Sequence, residues 1–196
     1  MQIEYMDYLP DEFKASAMQL YFNSLKEKLR PILGDDNRAK EVLESGLTTN
    51  QCLVAICDKK LVGILGIQTD KGGFINATLG KMIKEYGLLY GILRMCGLAF
   101  LHHKTASDEL YVDGVAVEDD MRGKGIGSQL FDLLERIASK KEIRTISLEI
   151  IDTNPRAKAL YKRLGFVAIK QRTVWPCNLF FRFPFRSATL MVKVMG

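Results

Sequence analysis

The sequence predicts a mixed α/β (α+β) fold, and three features carry that expectation. Two apolar, β-branched runs, CLVAIC and LVGILGIQ, flank the charged DKK and read as an antiparallel hairpin with a tight turn. Further on, ELYVDGVAV, an amphipathic helix, TISLEII and a second capped helix follow one another with short links. That alternation implies parallel pairing with a right-handed crossover. Two more strands, residues 167–174 and 187–194, close the chain. At 196 residues the chain can bury a real core and is expected to form one domain over residues 1–196.

The elements follow in order. Residues 10–30 carry Phe13, Ala17, Leu20, Tyr21, Leu25 and Leu29 at helical spacing and predict one helix that ends at Pro31. A second short helix is expected to open at Asp35 or Asp36 and to close near Gly46. After the hairpin, residues 71–108 are too long for a plain loop and predict one or two helices over the sheet edge or over an open site. An apolar helix there is most simply a cap that completes the core; a substrate lid and a dimer face are the alternatives. The helix after ELYVDGVAV should turn Leu130, Leu133, Leu134 and Ile137 inward. In NPRAKALYKRLGF, Asn154 can cap, Pro155 suits the first turn and Gly165 ends the helix.

Composition narrows the partners. A net charge of +5, from 28 cations against 23 anions, favours an anionic ligand, but the excess is mild and does not indicate nucleic acid. Cys52, Cys57, Cys96 and Cys177 form no CxxC pair, and only His102 and His103 add imidazole, which argues against a structural zinc, any other metal site or a disulfide framework. The opening MQIEYMDYLP lacks the basic-then-apolar signal pattern, so a cytoplasmic protein with reduced thiols is expected. The apolar run Leu88–Leu101 falls short of the roughly 20 residues of a bilayer span and contains Arg94, so no membrane partner is expected.

The stretch MRGKGIGSQL combines three glycines, two cations and a helix start, the makings of a phosphate site. A Walker loop is excluded, because Gly125 follows Lys124 and no hydroxyl occupies the magnesium position. Gly123, Gly125 and Gly127 are spaced GxGxG, a poor match to the dinucleotide fingerprint GxGxxG. The pattern Arg/Gln-x-x-Gly-x-Gly/Ala is met in full by Arg122, Gly125 and Gly127, after a strand and before an amphipathic helix.

With that pattern the chain resembles the GCN5-related N-acetyltransferase (GNAT) superfamily. VAVEDDMRGKGIGSQLF looks like the acetyl-CoA motif of the family, and NPRAKALYKRLGF looks like its second signature, Asn-x-x-Ala-x-x-Leu-Tyr-x-x-x-Gly-Phe. The resemblance implies an acyl-CoA N-acyltransferase fold: a central, twisted, mixed but mostly antiparallel sheet flanked by helices. Residues 71–108 are then a helical insertion before the coenzyme-binding strand. It also implies acetyl-CoA as cosubstrate, no metal, and a primary amine as acceptor.

Residue by residue, the resemblance gives the backbone amides of Arg122, Gly123, Lys124, Gly125, Ile126, Gly127 and Ser128 to the coenzyme pyrophosphate. The strand backbone at Val115, Ala116 and Val117 corresponds to the segment that pairs with the pantetheine arm, and Asn154 to a residue that hydrogen-bonds it. Tyr161 stands where the family keeps a tyrosine beside the sulfur, as general acid; a core aromatic is its competing role. For the base, Tyr111 and Asp113 lie two apart on a strand and share a face, and a carboxylate inside an apolar strand is costly unless it is paired or functional. Asp113 is the candidate, directly or through water, with Glu109 and Glu149 as alternatives.

The acceptor is left open between a small-molecule amine and a peptide or protein amine. Net positive charge argues against a polycation. Trp175, Phe180, Phe181 and Phe183 can stack on a substrate, line an interface or close the core, and the apolar insertion is compatible with a homodimer. A non-catalytic acyl-CoA-binding regulatory module, or an acyltransferase with another donor, is the rival reading.

Overall fold

The computed structural model describes residues 2–34 and 37–196. A short strand, β1 (Ile3–Met6), opens the described chain and forms one edge of the sheet; the sequence reading had no strand here. The expected single helix over residues 10–30 is two helices, α1 (Lys14–Ser24) and α2 (Lys26–Leu33), broken at Leu25, where φ is −102° and ψ 12°. Pro31 does not end α2 but sits inside it. The missing N–H removes a single intrahelical bond, while one further turn buries Ile32 and Leu33 completely, each worth about 1.5–3 kcal/mol. The next helix, α3 (Asn37–Ser45), stops just before Gly46; its expected opening at Asp35 or Asp36 lies outside the described residues.

The hairpin strands are β2 (Cys52–Cys57) and β3 (Lys60–Thr69), joined by Asp58 and Lys59 with φ of 48° and 60°. Two successive positive φ values give the mirror-image turn that matches strand twist. A two-residue strand, β4 (Gly72–Gly73), pairs with β3. The insertion folds as a helical hairpin, α4 (Leu79–Tyr86) and α5 (Leu88–Leu101). Then come β5 (Glu109–Val117), α6 (Ile126–Lys140), β6 (Thr145–Ile151), α7 (Pro155–Arg163), β7 (Val167–Thr173) and β8 (Ser187–Val194).

The strands form one sheet in the order β1-β2-β3-β5-β6-β8-β7, with β4 on β3. Among the described residues only β5 and β6 pair in parallel, so the sheet is mixed and mostly antiparallel. One face carries α6 and α7, with Ile126, Leu130, Phe131, Leu134 and Ala138 buried and Leu133 and Ile137 partly so. The other face carries α1, α2, α3 and the insertion.

The α4–α5 hairpin is tied down at the end of α2. A helix leaves its last carbonyls without intrahelical partners; here the Tyr86 hydroxyl donates to Leu33 O at 2.7 Å and the Arg94 guanidinium donates to Ile32 O. Arg94 also stacks on the Tyr86 ring, 4.4 Å from its centroid, which accounts for a cation inside an apolar helix. The hairpin caps the core with one face of α5 and leaves the other on the surface. Met95, Leu98, Phe100 and Leu101 face inward, whereas Leu88, Leu89, Tyr90, Ile92 and Leu93 are exposed. In the aromatic loop, Phe181, Phe183 and Phe185 alternate into the core, while Trp175 and Phe180 lie on the surface.

Candidate active site

Three connected spaces run across the sheet where β5 and β6 part. Their parallel ladder covers Glu109 to Val112 on β5 and ends at the Val112–Leu148 pair. Beyond it β5 stays bonded to β3 through Gly114, Val115, Ala116 and Val117, so its other edge has no strand partner among the described residues. Asp113 is the extra residue of a bulge, because Val112 pairs with Ile67 and Gly114 with Gly66, its immediate neighbour.

The first space is a groove of about 530 Å³ beside the exposed edge. Val115, Ala116, Val117, Arg122, Gly123, Gly125, Ile126, Gly127, Ser128, Asn154 and Tyr161 all line it. Gly123 and Gly125 have φ of 78° and 82°, a conformation side chains resist, and nothing stands within 4 Å of where a Cβ would be. This bends the chain so that α6 starts with the amides of Ile126, Gly127 and Ser128 at the groove. Arg122, Arg156 and Arg163 add three guanidiniums, that of Arg122 paired with Asp119 Oδ1 at 2.7 Å, and no carboxylate is among the described residues that line the groove. Such a surface fits a pyrophosphate. Lys124 is absent from the lining residues, and its ammonium rests 3.3 Å from the Met121 sulfur. Arg156 and Arg163 were missed, although with Leu160 they sit at helical i, i+4, i+7 spacing on α7.

A smaller gap of about 170 Å³ continues the groove through the sheet. It shares Val115, Asn154, Ala157 and Tyr161 with the groove, and Lys28, Asp113, Glu149 and Ile151 with the next space. The Asn154 side chain accepts from Ala157 N at 3.1 Å, capping α7, while it also lines groove and gap. Tyr161 is packed edge-on against Phe131 and Phe166, and burial pushes its phenol up to about 12.

The third space is a cavity of about 370 Å³ between α1, α2, α5 and the far half of the sheet. Tyr111 and Asp113 both line it. The Tyr21 hydroxyl donates to Asp113 Oδ2 at 2.9 Å, and burial, followed by the Asp113 charge, holds the Tyr21 phenol well above its usual range. Glu149 is held by Arg172 at 2.7 Å, and Arg172 also donates to Phe100 O at 2.9 Å and lies over the Phe100 ring. Lys28 Nζ donates to the backbone oxygen of Glu149 at 3.3 Å; burial lowers the lysine pKa against the opposing pull of Asp113 and Glu149. Glu109 is not among the lining residues of either space: its carboxylate accepts from Ser147, His103 and the Ala106 amide.

A mixed sheet split beside a helix start that presents free amides, with a second cavity behind the split, can hold an extended anionic ligand on one side and a second molecule on the other. The profile of the Acetyltransferase (GNAT) family matches residues 18–166, and the chain belongs to that family. It is similar to a thialysine N-epsilon-acetyltransferase of Bos taurus, 30% identical over 104 residues, which are 53% of this chain and 54% of that protein. It is also similar to a putative [ribosomal protein bS18]-alanine N-acetyltransferase of Bacillus subtilis (strain 168), 31% identical over 58 residues, or 30% of this chain and 38% of that one. The chain thus spans about half the length, or less, of these curated relatives. Among solved structures, the apo form of an agmatine N-acetyltransferase mutant superposes with a TM-score of 0.64 at 14% identity, covering 99% of this chain and 100% of that one. The ribosomal-protein-S18-alanine N-acetyltransferase from Escherichia coli gives 0.59 at 15%, covering 100% and 95%. At such identities the structural likeness shows the fold.

Proposed function

We propose that the chain moves the acetyl group of acetyl-CoA to a primary amine by direct transfer. The observation that carries this reading is the continuity of the three spaces, with Asn154 and Tyr161 on one side of the gap and Asp113 on the other. Family membership and relatives named for acetylating amines support it. Acetyl-CoA supplies an activated thioester carbon and a thiolate leaving group. The amides of Ile126, Gly127 and Ser128, with Arg122, Arg156 and Arg163, hold its pyrophosphate, and the open edge of β5 at Val115, Ala116 and Val117 orients the arm.

An amine must be neutral to attack. Asp113, held by Tyr21, takes the ammonium proton directly or through water. As the N–C bond forms and the C–S bond breaks, the thiolate gains one proton and the new amide nitrogen sheds one. Each transfer therefore releases one proton to solvent. Tyr161 keeps its proton at every working pH, but a phenol near 12 is a weaker acid than an alkyl thiol and so a weak donor to the departing thiolate. Its contribution is a hydrogen bond to the departing sulfur rather than early full transfer, worth most in the transition state.

The test is release of coenzyme thiol from acetyl-CoA across a panel of amines and amine-bearing peptides. Turnover on an acceptor, reduced about 10²-fold or more in Tyr161→Phe and in Asp113→Asn with coenzyme affinity unchanged, is the expected result. Tight coenzyme binding with no thiol release on any acceptor overturns the reading in favour of a binding module.

A further inference from the structure

We infer that the acceptor carries one amino group on an uncharged, apolar body, and that the cavity rejects amines with a second positive charge. The inference rests on the transferase reading and concerns what fills the 370 Å³ cavity. Among the described residues its permanently charged groups are two cations, Lys28 and Arg172, and two carboxylates, Asp113 and Glu149. Lys28, Asp113 and Glu149 also line the gap, so they cluster at the reacting end. Glu149 is already matched by Arg172 at 2.7 Å, which leaves Asp113 as the carboxylate that meets the incoming ammonium.

Among the described residues, no further carboxylate lines the cavity away from the gap. Its walls there are apolar, including Leu43, Met95, Leu98, Phe100, Val174 and Phe185. The polar groups there are Gln68, Asn76 and the His102 imidazole, none of them a carboxylate: Gln68 donates to Thr105 and to the His103 carbonyl and lies 3.4 Å from His102 Nε2, and Asn76 bonds Gly73 and Thr48. A diamine, an aminoalkylguanidine or a basic side chain would bring its second cation against these walls, with Lys28 and Arg172 as the nearest charged groups of the same sign. Burying a charge without a partner is strongly unfavourable, whereas an alkyl or aryl body gains by leaving water. A cavity of this volume suits a small body, such as a short alkyl chain or one ring.

Hexylamine and 1,5-diaminopentane have the same number of heavy atoms and differ in one terminal methyl against one terminal ammonium. With acetyl-CoA saturating, kcat/KM for hexylamine and for 2-phenylethylamine should exceed that for 1,5-diaminopentane by tenfold or more. Met95→Glu, which sets a carboxylate on the α5 wall, should shift that ratio towards the diamine by about tenfold. Equal or better use of the diamine by the wild-type protein overturns the inference while leaving the transferase reading intact.

Calorimetric binding of the same two amines to the protein saturated with coenzyme A decides the matter independently of turnover and of the variant's folding. Tighter binding of hexylamine supports the inference even if no acetyl group moves, in which case the transferase reading alone falls. Tighter binding of the diamine, or no binding of either, overturns it.

Discussion

Tyr161 illustrates how one side chain can be read in sequence and still need the structure to fix its chemistry. Its place in NPRAKALYKRLGF marked it, but only its packing between Phe131 and Phe166 explains why the phenol rises to about 12. The sign of the resulting pH dependence follows directly. A folded-state value above the unfolded value near 10 means stability that is complete below pH 10 and lost as pH rises through 12. The difference in unfolding free energy between wild type and Tyr161→Phe should therefore shift by roughly 2 kcal/mol by pH 12, towards a limit of about 2.7 kcal/mol at 1.36 kcal/mol per unit. Urea denaturation of both proteins at pH 9, 10, 11 and 12 checks this, and a constant difference would show that the phenol titrates normally. Asp113 was legible in another way, as a carboxylate in an apolar strand. Its partner Tyr21, 92 residues away, carries no local mark, and neither do Lys28 and Arg172. Such residues become visible only when the fold brings α1, α2 and β7 to the same cavity.

The insertion shows the same division between elements. The length of the segment placed helices in residues 71–108, yet the sequence could not say which face would be buried, because α5 is apolar on every side apart from Arg94. Tertiary ties decide it: Arg94 and Tyr86 bind the end of α2, and Gly97 lets the aromatic loop approach. A Cβ at Gly97 would stand 2.7 Å from the Phe181 ring and 3.0 Å from the Ile32 side chain. Gly97→Val should therefore cost about 1–3 kcal/mol by overpacking. Because α5 is also a wall of the cavity proposed for the acceptor, the same variant should raise KM for the amine and leave coenzyme affinity unchanged. Denaturant unfolding with a KM measurement tests both arms, and an unperturbed KM would separate the helix from acceptor binding. The break at Leu25, the continuation through Pro31 and the bulge at Asp113 escaped sequence reading for a related reason. Each is a local preference overruled by burial or by the pairing of a distant strand.

On the scale of the whole molecule, the parting of β5 from β6 is a gap across the middle of a continuous sheet. The groove walls come from both sides of that gap, β5 and the start of α6 on one and α7 on the other. A ligand held by Arg122 and the α6 amides as well as by Arg156 and Arg163 therefore bridges two parts of the fold that the sheet joins there by only four residue pairs. Binding to the folded state alone stabilises it by mass action, about 2.7 kcal/mol at one hundred times Kd. For a chain of this size that is a rise in Tm of roughly 5–11 °C. Coenzyme A without any acceptor should produce this shift in thermal unfolding. Arg156 and Arg163 are both exposed, so Arg156→Ala with Arg163→Ala should leave the apo Tm within a degree or so while shrinking the coenzyme-induced rise at fixed ligand concentration. Loss of charge-assisted phosphate contacts weakens Kd, and the rise depends on the logarithm of ligand over Kd. An unchanged rise in the double variant would mean that α7 contributes no charge to the site, and that the coenzyme is held from the β5–α6 side alone.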